Sequence, residues 1–386
     1  MSTSGRRTFR AEHVGSFLRP RAVHDARAAF AAQKLDAAGL RAAEDAAIRE
    51  HISTCLSLGI KDLTDGEFRR QYFHIDFLKH LSGVSVQKNS LEQQEGHIPP
   101  TLAVVGKIKH ERDIEVENFE FLKSIVPRAQ WDGIKVTIPS PTMLHFRGGR
   151  KAIDEQVYPD LDDFFQDLAA AYRAEIDALY KAGCRYLQLD DTNLAYLTDP
   201  KMRADAAARG EDLASLPLRY AELINKAIQS RPKDMLVGIH LCKGNFKSQF
   251  FAAGSSEGYA PIAEALFGKL QVDAYFLEWE DQRSGVDFSV LGARPAGENA
   301  VPYLDASRTV VLGLVSSKVG KLEDKEELKR KLHDAAKFAP AGLEQLAISP
   351  QCGFSSTVHG NSITSDEQYA KLRLCKEVAE EVWGSA

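Results

Sequence analysis

His240 and Cys242 stand one residue apart in the run MLVGIHLC, so on an extended strand their side chains leave the same face. Two metal ligands on one wall need that placement, and two ordinary buried residues also take it. Glu278, near the end of DAYFLEW, and Cys352, at the end of LEQLAISPQC, add a carboxylate and a second thiol from separate runs. An imidazole, two thiols and a carboxylate are a donor set that suits tetrahedral zinc. Other apolar runs also end in reactive groups: Ser16, Asp65 with Glu67, Asp190 with Asp191, and Ser316 to Lys318. Carboxylates in such positions can hold an ammonium group or form plain strand-end salt bridges.

Eight short β-branched or aliphatic runs carry these groups at their ends. AEHVGSF covers 11–17, and the others begin at Ile60, Ile134, Cys184, Met235, Asp273, Thr309 and Leu343. Between them lie stretches with apolar residues at helical spacing, such as DLDDFFQDLAAAYRAEIDALYKAG, YAPIAEALFGKL and DKEELKRKLHDAAKFA. This alternation favours a parallel sheet with helices outside it, and eight repeats predict an α/β fold, the (β/α)8 TIM barrel. The strand ends of a barrel converge on one mouth, where its chemistry is done. The segment TLAVVGKIKH, following a polar stretch over 83–100, predicts a hairpin in a long excursion between strands 2 and 3. A doubly wound sheet is the competing arrangement, but no G-x-G-x-x-G follows the first run and no P-loop is present. With no repeat or linker to divide it, the chain over 1–386 reads as a single barrel.

Composition narrows the function. The 386 residues carry 49 basic and 54 acidic side chains, a net charge of -5. No basic block stands out to neutralise a nucleic-acid backbone, so no nucleic-acid partner is expected. Five cysteines, an odd and small number, argue against a disulfide framework and for a reduced, cytoplasmic setting. The opening MSTSGRRTFRAEHVGSF has no apolar stretch of signal-peptide length, and no later segment has the length of a membrane span.

The segments HVGSFLRP, DGEFRR, YLQLDD, HLCKGN, FLEWEDQRSG, LGLVSSK and SPQCGF, in this order, resemble the catalytic half of cobalamin-independent methionine synthase. The similarity is closest to the short, single-barrel members of that superfamily. The resemblance implies a (β/α)8 barrel that uses zinc to transfer a methyl group from a methylated pterin to the thiol of homocysteine. It implies His240, Cys242, Glu278 and Cys352 as zinc ligands, and Ser16, Glu67 and Asp190 as homocysteine-binding residues, with Asp190 also in the catalytic set. Two thiolates and a carboxylate bring three negative charges against zinc's two positive ones. Such a centre leaves a substrate sulfur nucleophilic, whereas hydrolytic zinc enzymes use His-rich, more electrophilic sets. A non-catalytic zinc- or thiol-binding protein is the non-enzyme alternative.

Departures from the family pattern bear on the methyl donor. Where the family places a tryptophan beside the pterin, this chain runs VTIPSPTM with Pro141 near that position. Where the family has a proton-donating histidine, alignment gives Lys318, or Ser317 with a slip of one; His359 is a further candidate to approach the site. With room for one barrel in this sequence, the expected donor is methyl-folate or a methyl group on a corrinoid partner protein. Alkyl transfer to a sulfonate thiol, as in epoxyalkane:coenzyme M transferases, is the alternative within the superfamily; its pocket would use cations such as Arg19, Arg69, Arg70 or Arg283.

Overall fold

The computed structural model describes residues 8–87, 100–297 and 300–386. Residues 88–99, in the polar stretch of the predicted excursion, lie outside the described residues. Its centre is a six-stranded parallel sheet in sequential order: β3 (Lys135–Pro139), β4 (Tyr186–Asp191), β5 (Leu236–Leu241), β6 (Ala274–Glu278), β7 (Thr309–Val315) and β8 (Leu346–Pro350). The preceding strands β1 (Ser82–Gln87) and β2 (Thr101–Lys109) form the antiparallel hairpin expected in the excursion.

The first two expected strands complete the ring with isolated bridges instead of regular ladders. Ala11 bridges to Ile348 of β8, and Leu63 bridges to Ile134 at the start of β3, both in parallel sense. Between these two segments one backbone bond, from the Phe17 N–H to the Gly66 carbonyl at 3.0 Å, is joined by side-chain contacts in place of a regular ladder. Asp62 Oδ2 accepts from the His13 backbone N–H at 2.8 Å, His13 Nε2 donates to the Asp62 carbonyl, and Thr64 Oγ1 donates to the Gly15 carbonyl at 2.7 Å. Lys135 reinforces them from the barrel interior. Its fully buried ammonium lies 3.0 Å from Glu12 Oε2 and 2.9 Å from Asp62 Oδ2, and it also donates to the His13 carbonyl. Together these contacts give a (β/α)8 barrel with six regular strands and two irregular ones.

Strand alternation sets which residues face inward. Tyr186, Leu236, Ala274, Phe276, Val311 and Ala347 form an apolar cluster of their own, separate from the larger core between strands and helices. Further along the same faces come Asp190 of β4, His240 of β5 and Glu278 of β6. The intervening Leu187, Leu189, Val237, Ile239 and Leu277 belong to the outer core.

Helices cover that outer face. The Ala-rich region forms two, Arg21–Ala31 and Ala37–Leu58, the second capped by Asp36, which accepts from the Gly39 N–H. The long helix Leu161–Ala182 buries Phe164, Leu168, Tyr172 and Ile176 on one side. YAPIAEALFGKL, expected as an ordinary helix, instead forms a short 3₁₀ turn at Ala260–Ile262 followed by π-helical Glu264–Lys269. Among the described residues no helix is long and apolar enough to cross a membrane.

Replacing Lys135 with methionine strands two buried carboxylates. Urea denaturation of Lys135→Met is expected to show a loss of about 3–5 kcal/mol, with most of it recovered when Glu12→Gln and Asp62→Asn are added.

Candidate functional site

The four donors meet at the carboxyl end of the barrel. One ligand atom from each of His240, Cys242, Glu278 and Cys352 lies within 4.8 Å of the others, and all four residues are buried. The two sulfurs are 3.3 Å apart. His240 Nδ1 faces the Phe276 carbonyl at 3.3 Å, while Nε2 is buried without a hydrogen-bond partner. Glu278 Oε1 accepts from the Lys243 N–H at 2.8 Å, while Oε2 is likewise buried without a partner. Two orphaned acceptors beside two sulfurs is the pattern a soft divalent cation would resolve, so these residues fit zinc.

Electrostatics point the same way. The sulfur–sulfur contact holds the Cys352 thiol well below its usual range and the Cys242 thiol well above it, so the pair shares a proton. Burial disfavours a charged His240 ring, yet Cys352, Asp190 and Glu278 together hold it up at about 8.

A carboxylate pair occupies another arc of the mouth. Glu67 follows the second barrel position with backbone φ of 58°, a left-handed conformation that non-glycine residues seldom adopt. Asp65 holds it there by accepting from the Glu67 N–H at 2.8 Å. Thr137 of β3 donates to Glu67 Oε1 at 3.0 Å, Arg70 lies 3.4 Å from the same oxygen, and Oε2 is buried without a partner. Asp190 Oδ1 accepts from Gln188 at 2.7 Å. Burial, then the charge of Glu67, pushes the Asp190 carboxyl up to about 7; burial also raises Glu67, against Arg70 and Arg19. Asp191, next in sequence, serves the fold by accepting from Thr142 Oγ1 and the Leu194 N–H.

Ser16 packs against the loop that carries Cys352. Its Oγ accepts from the Ser355 N–H at 3.3 Å, and a Cβ on Gly353 would stand 1.9 Å from that oxygen, so only glycine fits there. Lys318 is buried with its Nζ 4.0 Å from the centre of the Phe250 ring. Ser317 is buried too, its hydroxyl without a partner. His359 is exposed and set edge-on to Phe246, outside the donor cluster.

The four arginines considered for a sulfonate are engaged with the protein itself. Arg19 donates to the carbonyls of Ser355, Glu67 and Arg70, and Arg70 pairs with Glu115 and Glu67. Arg69 pairs with Asp45, and Arg283 with Glu280 and Asp281. Sequence reading missed this engagement, and also Thr137 and Lys243, whose contacts depend on strand neighbours distant in the chain.

Residues 9–253 match the family described as the catalytic domain of cobalamin-independent synthase. The chain belongs to this cobalamin-independent methionine synthase family of methyltransferases. Ser16, Glu67, Asp190, His240 and Cys242 fall within the matched span, and Glu278 and Cys352 beyond it. Bacillus subtilis YxjH, an uncharacterized protein, is 40% identical over 382 residues, covering 97% of this chain and 95% of that one. A crystal structure from Listeria monocytogenes, provisionally described as a vitamin-B12-independent methionine synthase, shares 35% identity and a TM-score of 0.75, covering 99% of this chain and 100% of that one. The 5-methyltetrahydropteroyltriglutamate–homocysteine methyltransferase of Trichodesmium erythraeum is 24% identical over 356 residues, covering 89% of this chain and 40% of its own length.

A carboxyl raised from 3.8 to about 7 binds its proton more tightly in the folded chain, so its stabilising contribution is full at low pH and is lost as pH rises through about 7. Asp190→Asn is therefore expected to be more stable than the unaltered protein at pH 8, by roughly 2–4 kcal/mol, with the gap closing toward pH 4. Denaturant titrations across this range check it.

Proposed function

We propose that the chain transfers a methyl group to the thiol of homocysteine, forming methionine, with zinc held by His240, Cys242, Glu278 and Cys352. One observation carries this reading: four buried donors from three strands converge, two of them presenting partnerless atoms. Bound zinc would lower the pKa of the acceptor thiol and so supply a thiolate nucleophile at neutral pH.

The remaining work belongs to the chain's own side chains. Glu67 and Asp190 receive the ammonium group of the acceptor, Glu67 through its unpartnered Oε2. Ser16 Oγ accepts from Ser355, which leaves its proton for the acceptor's carboxylate. Lys318 completes the catalytic set from its buried place against Phe250. Burial of the donors keeps bulk water from competing for the methyl group. The name of the Trichodesmium relative supports homocysteine as the acceptor. The engagement of Arg19, Arg69, Arg70 and Arg283 argues against a sulfonate thiol.

The donor follows from the wall after β3. Pro141 opens the buried 3₁₀ turn Pro141–Leu144 and offers no aromatic face to a pterin. The donor in this reading is a methyl group presented on a corrinoid, which needs no such stacking.

Two measurements test these assignments. Metal analysis should find about one zinc per chain, mostly lost in Cys242→Ser and Cys352→Ser together with methionine formation; full zinc and activity in both variants would refute the site. In steady-state assays methylcobalamin should exceed mono- and polyglutamylated methyl-folate by about tenfold or more in kcat/KM. Efficient turnover with polyglutamylated methyl-folate alone, at about 10⁴ M⁻¹s⁻¹, would overturn the donor assignment.

A further inference from the structure

We propose that Lys243 and Asn245 are positioning residues for the four donors, Lys243 fixing Glu278 and Asn245 the loop of Cys352, so that both are indexed to the strand end that carries His240 and Cys242. The inference rests on the zinc reading above and extends it to residues that are not themselves ligands.

The motif HLCKGN supplies two donors and then three residues to which the proposed reaction gives no role. Each of the three reaches a different donor or its loop. The Lys243 N–H donates to Glu278 Oε1 at 2.8 Å, across 35 positions of sequence. The Gly244 N–H donates to Cys242 Sγ at 3.3 Å, with φ of 92° at the glycine. Asn245 Nδ2 donates at 2.8 Å to the carbonyl of Gly353, the residue after Cys352 and 108 positions further on. The same amide lies 3.3 Å from Ser356 Oγ on that loop.

Lys243 is tied down through its N–H, its carbonyl and its ammonium. The carbonyl accepts from the Phe251 and Ala252 N–H groups at 3.2 and 2.9 Å. The ammonium, in a residue that is 1% exposed, donates to the Arg283 carbonyl and to Ser284 Oγ, both at 2.6 Å. Those acceptors are themselves fixed, because Gly254 and Gly258 bring the loop after β5 against their backbone. A Cβ on Gly254 would stand 2.3 Å from the Arg283 oxygen, and one on Gly258 2.0 Å from the Ser284 oxygen. Tyr259 closes the arrangement by donating to the Glu278 carbonyl at 3.1 Å, its ring centre 5.4 Å from the Lys243 ammonium. The peptide that holds Glu278 therefore moves only if contacts to both loops break.

A buried ammonium is a costly way to fill space, since its hydration must be replaced. Methionine is of similar length; what it lacks is the pair of bonds that fixes the peptide. Directional contacts of this kind decide where a ligand atom stands, and metal affinity responds to them even when the fold does not. Glu278 spends one oxygen on Lys243, which leaves Oε2, the atom without a partner, for the cluster.

Lys243→Met and Asn245→Ala test the two contacts separately, with zinc(II) and cobalt(II) as the probes. Competition against a chromogenic chelator should show zinc held at least about tenfold more weakly in each variant. The cobalt spectra should differ in kind. Lys243→Met should keep the thiolate-to-cobalt charge-transfer bands and lose ligand-field intensity, as the carboxylate gives way to water; Asn245→Ala should lose charge-transfer intensity, as one of two thiolates is released. A variant whose zinc affinity and cobalt spectrum match those of the unaltered protein overturns its residue's role, whatever it loses in urea stability. One common spectral change in both variants overturns the separate assignments. If Lys243→Met does not fold, Ser284→Ala removes one acceptor of the same ammonium and is read in the same way. Unaltered protein that binds neither metal defeats the zinc reading together with this inference, whereas metal-binding unaltered protein with indifferent variants defeats the inference alone.

Discussion

The ion cluster around Lys135 is the constraint on which the rest of the barrel depends. The ring is hydrogen-bonded as a regular sheet from β3 to β8, and the remaining gap is spanned by two segments that bridge their neighbours at single residues. One buried ammonium reaches a carboxylate on each of them, Glu12 and Asp62. A charge placed there needs partners in fixed positions, which makes it a more exacting closure than apolar packing. The effect reaches the mouth along the same strand face. Two residues beyond Lys135, Thr137 bonds to Glu67, while Gln188 of β4 donates both to the Val14 carbonyl and to Asp190. The irregular segments that carry Ser16 and Glu67 are thus indexed against β3 and β4 by side chains.

With closure achieved by side chains and a few isolated backbone bonds, the two irregular segments are free to bend where a regular strand is not. Glu67 takes a left-handed backbone and Gly66 beside it has φ of 66°, which turns the carboxylate into the barrel within one residue of the strand end. The regular strands work differently. Asp190, His240 and Glu278 are brought inward by alternation alone, above an apolar layer of Tyr186, Leu236 and Phe276. That layer forms a dry floor beneath the polar residues, so charge at the mouth is desolvated and its interactions are strong.

Much of this was legible in the sequence because strand period and strand ends are local properties. The eight runs, the hairpin around TLAVVGKIKH and the inward set from Asp190 to Glu278 follow from alternation and spacing. The four-donor cluster was legible because its residue types are uncommon together at strand ends. The irregularity of the first two strands was not, since AEHVGSF and IKDLTDGEF have ordinary strand patterns and the buried lysine that ties them together lies more than seventy residues further on. The π-helical turn at Glu264–Lys269 was hidden for a similar reason, its apolar spacing being compatible with an ordinary helix. The arginines near the motifs looked like free cations in sequence, and only the fold reveals their carbonyl and carboxylate partners.

That last point bears on selectivity. A mouth can distinguish an amino-acid thiol from a sulfonate thiol only through charges not already committed to the protein. Arg19 holds the backbone around Glu67 and Arg70 pairs with its carboxylate, so both are committed to shaping the site. Glu67 retains an unpartnered oxygen and Asp190 a raised affinity for a proton, and in the proposed reaction an incoming ammonium group would satisfy both. On the other arc the uncommitted atoms include those of His240, Glu278, Ser317 and Lys318. At the mouth these unsatisfied groups form one arc that would suit a cation and another that would suit a metal with an anionic sulfur. A single small molecule carrying an ammonium group and a thiol a few bonds apart, as the proposed acceptor does, would satisfy both arcs at once.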